Sequence, residues 1–408
     1  MIGSARLGWL DALRGVAALV VVFDHSSYTF MPDFRQDLMP HFNTSRYGIL
    51  VFFLVSGYIV PHSLERRGCV RTFWVGRIFR VYPLWAAAVS ALLALHALGI
   101  AELRDLGSHS TATVVIAHLT MLQELLGTPS VLLVLWTLSY EMSFYLLVVG
   151  LFTVRLQRRS AAVAVVLAVL AAGSVAAGVT LHPSALSSEF GTGPVIAVAA
   201  IAMGGALFCA GAETPVLRVL GGVLGGVLAL VLVAFNGTVA LWEGLVILAV
   251  MFLGTTVHRA EAGQCSWVFA VGTAVVVSVC AGGSAYGWGD GDHFTRRGWI
   301  TAFMLALITF GAGTAVRNRC LPRVLTGLGT ISYSVYLVHP VLLTVIDSTV
   351  GRRRQDSPVL EAMFFVALLP VCLLTHRWIE APSQRWGRGL ARRLTRRRPV
   401  VEGDLLTP

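Results

Sequence analysis

Several short segments place ionisable or hydroxyl side chains inside runs that are otherwise too apolar to accommodate them. The first carries Asp11 and Arg14, runs apolar through Phe23, and then reads Asp24-His25. A charge inside such a run requires a protein partner or a function. Arg14 and His25 are eleven residues apart, which at 100° per residue returns to within about 20° of one helix face and separates them by about 16 Å. Both can line one interior channel, with Asp11 able to pair with Arg14 from three residues away. His25 reads equally well as a polar residue closing a helix at an interface.

Further along, Arg77 and Arg80 stand at i and i+3 ahead of Tyr82-Pro83. Such a pair can hold two phosphate oxygens, as a pyrophosphate-bearing donor would require. An ordinary basic flank is the alternative. Glu141 sits early in the apolar stretch Trp136–Tyr145; without a partner a membrane carboxylate takes up a proton, so His25 or an arginine is expected beside it. A purely structural ion pair is the other reading. Ser332, Tyr336 and His339 fall on one helix face at i, i+4 and i+7, with Tyr333 beside them. That stripe suits a pocket wall, or hydrogen bonds between helices. Ser56-Gly57 permits close approach to a neighbour, and Glu380 reads as a structural partner for an entrance arginine.

The elements that must position these groups are membrane helices. Of 408 residues, 56% are hydrophobic and 13% charged, against about 25% charged in ordinary soluble domains. Runs long enough to cross a roughly 30 Å hydrocarbon core are expected near 8–28, 47–63, 80–99, 131–153, 160–181, 194–211, 217–235, 238–257, 266–286, 298–316, 327–347 and 358–378. The fold class is therefore all-α, a polytopic transmembrane bundle of about 10–12 spanning helices. The segment 112–127 is too short to span and is expected to be re-entrant or interfacial. Arginines follow the even-numbered spans, which places both termini in the cytoplasm; Arg352, Arg353 and Arg354 break the pattern. The first apolar run, carrying charge and lacking a cleavage site, reads as a retained helix and not a secretory signal.

The net charge of +10 comes from these flanks and from the C-terminus, and not from a soluble basic module, which argues against nucleic-acid binding. Six cysteines are scattered without paired spacing, so neither a disulfide framework nor a metal site is expected. Gly221, Gly222, Gly225 and Gly226 have the small-xxx-small spacing of packed helices. Residues 1–383 are expected to form the membrane domain and 384–408 a basic, disordered cytoplasmic tail contacting anionic lipid.

Taken in this order, Arg14-x10-His25, Phe52 to Tyr58, Arg77-x-x-Arg80 with Tyr82-Pro83, Trp136 with Glu141 and Phe144-Tyr145, Ser332-Tyr333 through His339, and Glu380 with Pro382 resemble the acyltransferase type 3 family of bacterial membrane O-acyltransferases. The resemblance spans nearly the whole chain. It implies transfer of an acyl group, often acetyl, from acyl-CoA as co-substrate, with no tightly bound cofactor, to a hydroxyl of a glycan or a macrolide-type small molecule, in the bacterial inner membrane. On that footing His25 is the expected general base. Its expected orienting carboxylate is Glu141, since Asp24 lies about 100° away unless the helix ends at Phe23. Arg77 and Arg80, with Arg14 behind them, are the expected donor-binding set. Ser56, Trp136, Ser332, Tyr333, Tyr336 and His339 are the expected pocket lining. A proton-coupled secondary transporter is the competing class, although no internal repeat is evident. A covalent acyl-enzyme is the competing mechanism.

Overall fold

The computed structural model describes residues 2–103, 105, 109–291 and 294–396. Among the described residues the chain is helical, apart from an isolated bridge between Gly291 and Phe294. The helices are α1 (Ile2–Phe30), α2 (Pro32–Leu38), α3 (Thr44–Arg67), α4 (Val70–Ala97), α5 (Thr111–Leu119), α6 (Leu135–Thr153), α7 (Ser160–Ala176), α8 (Ala185–Phe190), α9 (Thr192–Ala210), α10 (Pro215–Phe235), α11 (Leu241–Glu261), α12 (Trp267–Trp288), α13 (Arg296–Ala315), α14 (Arg323–Thr349), α15 (Pro358–Thr375) and α16 (Ala381–Arg396).

Among the described residues eleven helices are long and apolar enough to cross a membrane, and the chain is a multi-pass membrane protein. The 29-residue α1 is outside that set because polar and charged side chains interrupt its apolar run. It nevertheless lies inside the bundle, with Ala17, Val21 and Val22 fully buried. All twelve expected spans fall on helices. Local signals set several of their ends: Asn43 accepts from the Arg46 backbone N–H and caps α3, and Pro32, Pro215 and Pro358 open α2, α10 and α15, where a missing N–H has no cost.

With α1, the helices α3, α6, α11 and α14 are the most enclosed, and α4, α7, α9, α10, α12 and α15 turn apolar side chains such as Ile201, Phe208 and Val268 outward. The segment expected to be re-entrant does not span. It folds as α5 and a short 3-10 turn, Gln123–Leu126, whose apolar residues Met121, Leu122, Leu125 and Leu126 are fully buried. Irregular backbone is tolerated at such a place only when protein covers it. His118 fixes it: its Nδ1 is 2.8 Å from the Val114 carbonyl, which can only accept, so Nε2 accepts from the Val131 N–H at 3.2 Å. Burial holds this imidazole below its usual range, consistent with that neutral form. The irregular turns also shorten the fourth span, which begins at Leu135 instead of 131.

The tail departs from expectation. Residues through Arg396 continue as α16, an amphipathic helix lying on α4, with the Ser383 hydroxyl donating to the Phe79 carbonyl at 3.0 Å. Tail residues 397–408 lie outside the described residues. Arg352, the first of the out-of-pattern arginines, is neutralised by Asp347 at 2.9 Å.

Two pairs of helices touch backbone to backbone. A methyl group at Gly57 would overlap Met251 of α11, and one at Gly254 would overlap Leu54 of α3. Likewise Gly329 of α14 abuts the Asp11 backbone and Gly15 of α1 abuts Gly329. Apolar burial does not drive association in lipid, so such small-residue contacts carry the packing. The predicted glycine run behaves the same way, Gly221 meeting α9 and Gly222 meeting Thr153 of α6. Gly329→Ala is expected to destabilise by about 1–3 kcal/mol through overpacking. Gly327→Ala, two residues away with open space around it, is expected to be neutral or to gain about 0.5–1 kcal/mol. Thermal unfolding of the two variants in the same detergent checks this.

Candidate active site

Three cavities follow one another along the bundle. The end of α3, the start of α4 and α16 enclose the first, at the arginine-rich face; Arg77 and Arg80 line it. Arg80 also lines the second, an inner chamber formed by Arg14, Ser56, Glu141, Ser332, Tyr333 and Tyr336, with Phe52, Phe53 and Thr137. The third opens at the opposite face, has a volume of about 460 Å³, and is bordered by His25, Tyr28, Glu102, Pro340, Asp347 and Arg352 among others.

Arg14 and His25 therefore do not share a cavity, although they share a helix. Between them stands a partition made by Tyr336 and His339. The Tyr336 hydroxyl lies 2.6 Å from the Thr137 hydroxyl and donates to the Val134 carbonyl at 3.1 Å. Its ring meets His339 edge-on, with centroids 6.2 Å apart, and Phe52 packs on its other side at 5.6 Å.

The partner of His25 is His339. The His25 Nδ1 and the His339 Nε2 are 2.9 Å apart, and the two rings are nearly parallel. The His339 Nδ1 lies 2.8 Å from the carbonyl of Val335. A carbonyl only accepts, so that nitrogen carries the hydrogen. Burying a charged imidazolium is costly and His339 is wholly buried, so its Nε2 holds a lone pair. His25 must then donate from Nδ1, which leaves its own Nε2 unprotonated. The network thereby assigns one tautomer to each ring. His25 itself borders the outer cavity.

Neither carboxylate expected beside His25 hydrogen-bonds to it. Glu141 faces the inner chamber instead, accepting from the Tyr145 hydroxyl at 2.5 Å and the Ser56 hydroxyl at 3.3 Å. Asp24 is committed elsewhere: it accepts from Arg35 at 2.8 Å and from the Thr44 hydroxyl at 2.6 Å. Because α1 continues to Phe30, Asp24 keeps its roughly 100° offset, and its carboxylate approaches the His25 Nε2 only to 4.0 Å. That distance is too long for a hydrogen bond. The signal for Arg35 was present in the sequence, since Met31-Pro32 breaks the helix and returns the chain over its end.

Of the expected pocket residues, Ser56, Ser332, Tyr333 and Tyr336 line the inner chamber. Tyr333 also donates to the Val81 carbonyl at 2.8 Å. His339 belongs to the partition. Trp136 is not among the chamber's lining: it packs under Arg46, 5.3 Å from the ring, and against Tyr140. The requirement it answers is burial of the Arg46–Glu243 ion pair, 2.6 Å apart, whose carboxylate also accepts from Trp299 at 2.9 Å. Glu380 is structural, receiving the Ser334 hydroxyl at 2.8 Å, Gln384 at 3.1 Å and His376 at 3.1 Å. Arg77 donates to the Ser63 hydroxyl at 2.8 Å, and Arg14 lies 3.9 Å from Asp11. Among the described residues no group of histidine, cysteine and carboxylate side chains could hold a metal ion.

A family described as an acyltransferase domain matches residues 7–377. A curated relative, the acyltransferase MdmB of Streptomyces mycarofaciens, is 28% identical over 413 aligned residues that cover 97% of this chain and 94% of the relative. No solved structure matches the chain.

Asp24→Ala is expected to leave Arg35 buried without its counter-charge and to destabilise the protein by about 3–5 kcal/mol. Asp24→Asn, which keeps an acceptor for Thr44, is expected to lose less. Chemical or thermal unfolding of both variants in detergent measures the difference.

Proposed function

The chain belongs to the acyltransferase family that its residues 7–377 match, and on that premise we propose that it is an O-acyltransferase moving an acyl group from acyl-CoA to a hydroxyl across the partition between its inner chamber and outer cavity. The arginine-rich face is assigned to the cytoplasm by its charge, so the donor enters there. The donor needed is anionic at one end and slender at the other: its phosphates stay with Arg77, Arg80 and Arg14, and a thin arm crosses the chamber. Acyl-coenzyme A has that form. The acceptor hydroxyl lies in the outer cavity, whose room and mixed polar and apolar lining suit a sugar or a macrolide-type molecule.

The observation that carries this reading is the hydrogen-bonded His25–His339 pair at the border of the outer cavity, which leaves the His25 Nε2 as the nitrogen without a hydrogen. In the reaction, Nε2 takes the proton of the acceptor hydroxyl while its oxygen forms a bond to the thioester carbonyl carbon. The C–S bond then breaks, the ester is released, and the proton passes from the imidazolium to the departing thiolate. Asp24, at 4.0 Å, favours the imidazolium as it forms. His339 holds the base in the useful tautomer and is a positioning residue. Direct transfer needs no second nucleophile and is preferred to a covalent acyl-enzyme. Family membership and the absence of an observed repeat both disfavour the transporter alternative.

Purified protein in detergent is expected to transfer a labelled acetyl group from acetyl-CoA to a hydroxyl acceptor, and His25→Ala to lose that transfer while folding normally. Transfer by His25→Ala at the wild-type rate would remove the base assignment. His339→Leu is expected to lower kcat by about 10²-fold or more with a smaller change in donor KM, and to alter the acid limb of the pH–rate profile. A stable labelled enzyme formed without acceptor would replace direct transfer with the covalent route.

A further inference from the structure

The C-terminal helix supplies something the proposed donor site otherwise lacks. The cavity at the arginine-rich face, about 170 Å³, is lined by Arg67 from the end of α3, Arg77 and Arg80 from α4, and Arg388 from α16, with Gln384 and no acidic side chain. Four guanidinium groups from three helices thus converge on one small space. Like charges at such separations repel, and among the described residues none of the four has a carboxylate partner within salt-bridge distance.

The site is built, not a loose collection of surface arginines. Arg77 is buried, 7% exposed, held by Ser63 and flanked by the rings of Phe73 and Tyr145 at 5.3 and 5.2 Å. Arg67 is held by the Thr72 carbonyl at 2.9 Å and covers Gly76, where any side chain would collide with it. Helix α16 is held in place too. Gly387 lies directly on the Phe79 side chain, Ser383 donates to the Phe79 carbonyl, and Gln384 donates to the buried Glu380. Those contacts present Arg388 to the cavity.

We infer that Arg67 and Arg388 complete the site with Arg77 and Arg80, and that it binds the multiply phosphorylated nucleotide end of the donor, so that α16 is a wall of the donor site. This rests on the reading that a phosphate-bearing donor enters at this face. Four guanidiniums suit a ligand with several phosphates, each able to take a bidentate contact. The same chemistry would hold the headgroup of an anionic lipid, and α16 has the exposed Trp386 and basic flank of an interfacial helix. The nucleotide is favoured because Arg80 lines both this cavity and the inner chamber, so the site adjoins the chamber through which the donor's arm would pass.

The test uses the full chain in nanodiscs of zwitterionic lipid, with adenosine 3′,5′-bisphosphate as the binding probe and acetyl-CoA as donor. Arg388→Gln and Arg67→Gln are each expected to weaken probe binding about tenfold or more and to raise donor KM similarly, with a smaller change in kcat. Arg388→Lys is expected to recover part of the loss. Arg392→Gln, on the same helix but outside the cavity, is expected to behave as wild type. Unchanged probe affinity and donor KM in both Gln variants, with normal thermal stability, would overturn the inference while leaving the acyl-CoA reading intact. Effects that arise only in nanodiscs containing anionic lipid would overturn it in favour of a lipid site. Failure of the wild type to use any acyl-CoA would instead defeat the donor reading itself.

Discussion

The close approach of α1 and α14 is the contact on which the rest of the site depends. The helices run parallel and touch backbone to backbone where Gly15 and Asp11 meet Gly329. Ten residues beyond Gly15 and Gly329, that contact becomes the His25–His339 hydrogen bond. Further still, the Thr29 hydroxyl donates to Asp347 at 2.7 Å. A side chain at Gly329 would push the helices apart and lengthen a hydrogen bond that tolerates little extension. Packing at one end of the pair thus bears on the spacing of the two imidazoles near the other.

Around this axis, buried polar ties do what apolar burial cannot do in a bilayer. Asp24 joins α1 to α2 through Arg35 and to α3 through Thr44. Arg46 and Glu243 join α3 to α11, and Trp299 adds α13. Near the arginine-rich face, Arg259 of α11 reaches Glu65 of α3 at 2.5 Å, and the Tyr58 hydroxyl donates to Glu261, which also pairs with Arg317 at 3.6 Å. In each of these pairs a charge taken from water is matched by an opposite one on another element, which is the condition under which buried ion pairs are tolerable. The outcome is an enclosed inner set of helices surrounded by others that present apolar faces outward.

Within that frame, polarity is graded along the bundle axis. Guanidiniums gather at one face, Arg14 and Arg80 share the inner chamber with hydroxyls and the Glu141 carboxylate, two imidazoles and a tyrosine form the partition, and a roomier cavity opens beyond. In the proposed reaction, fixed cations at one end would retain the donor's phosphates, and the partition would admit an uncharged arm at lower cost than a charged group.

Helix count, span positions and the need of Arg14, His25 and Glu141 for protein surroundings were legible in the residues, because hydrophobic length and the cost of buried charge act locally along the chain. The motif order was enough for the family. Helical periodicity also placed Ser332, Tyr336 and His339 on one face. It could not say which helix that face would meet: periodicity fixes rise and angle about a helix's own axis, not its orientation toward neighbours. So the partner of His25 proved to be His339, 314 residues away, in place of Glu141, which faces the inner chamber beside Tyr145 and Ser56. The same limit hid the placement of the segment that becomes α16. Its arginines read as a charged end, and only packing on Phe79 turned one of them toward Arg77 and Arg80. What the chain determined alone is which groups could not be left in lipid; which partners receive them was decided by glycine contacts and buried turns that set how the helices meet.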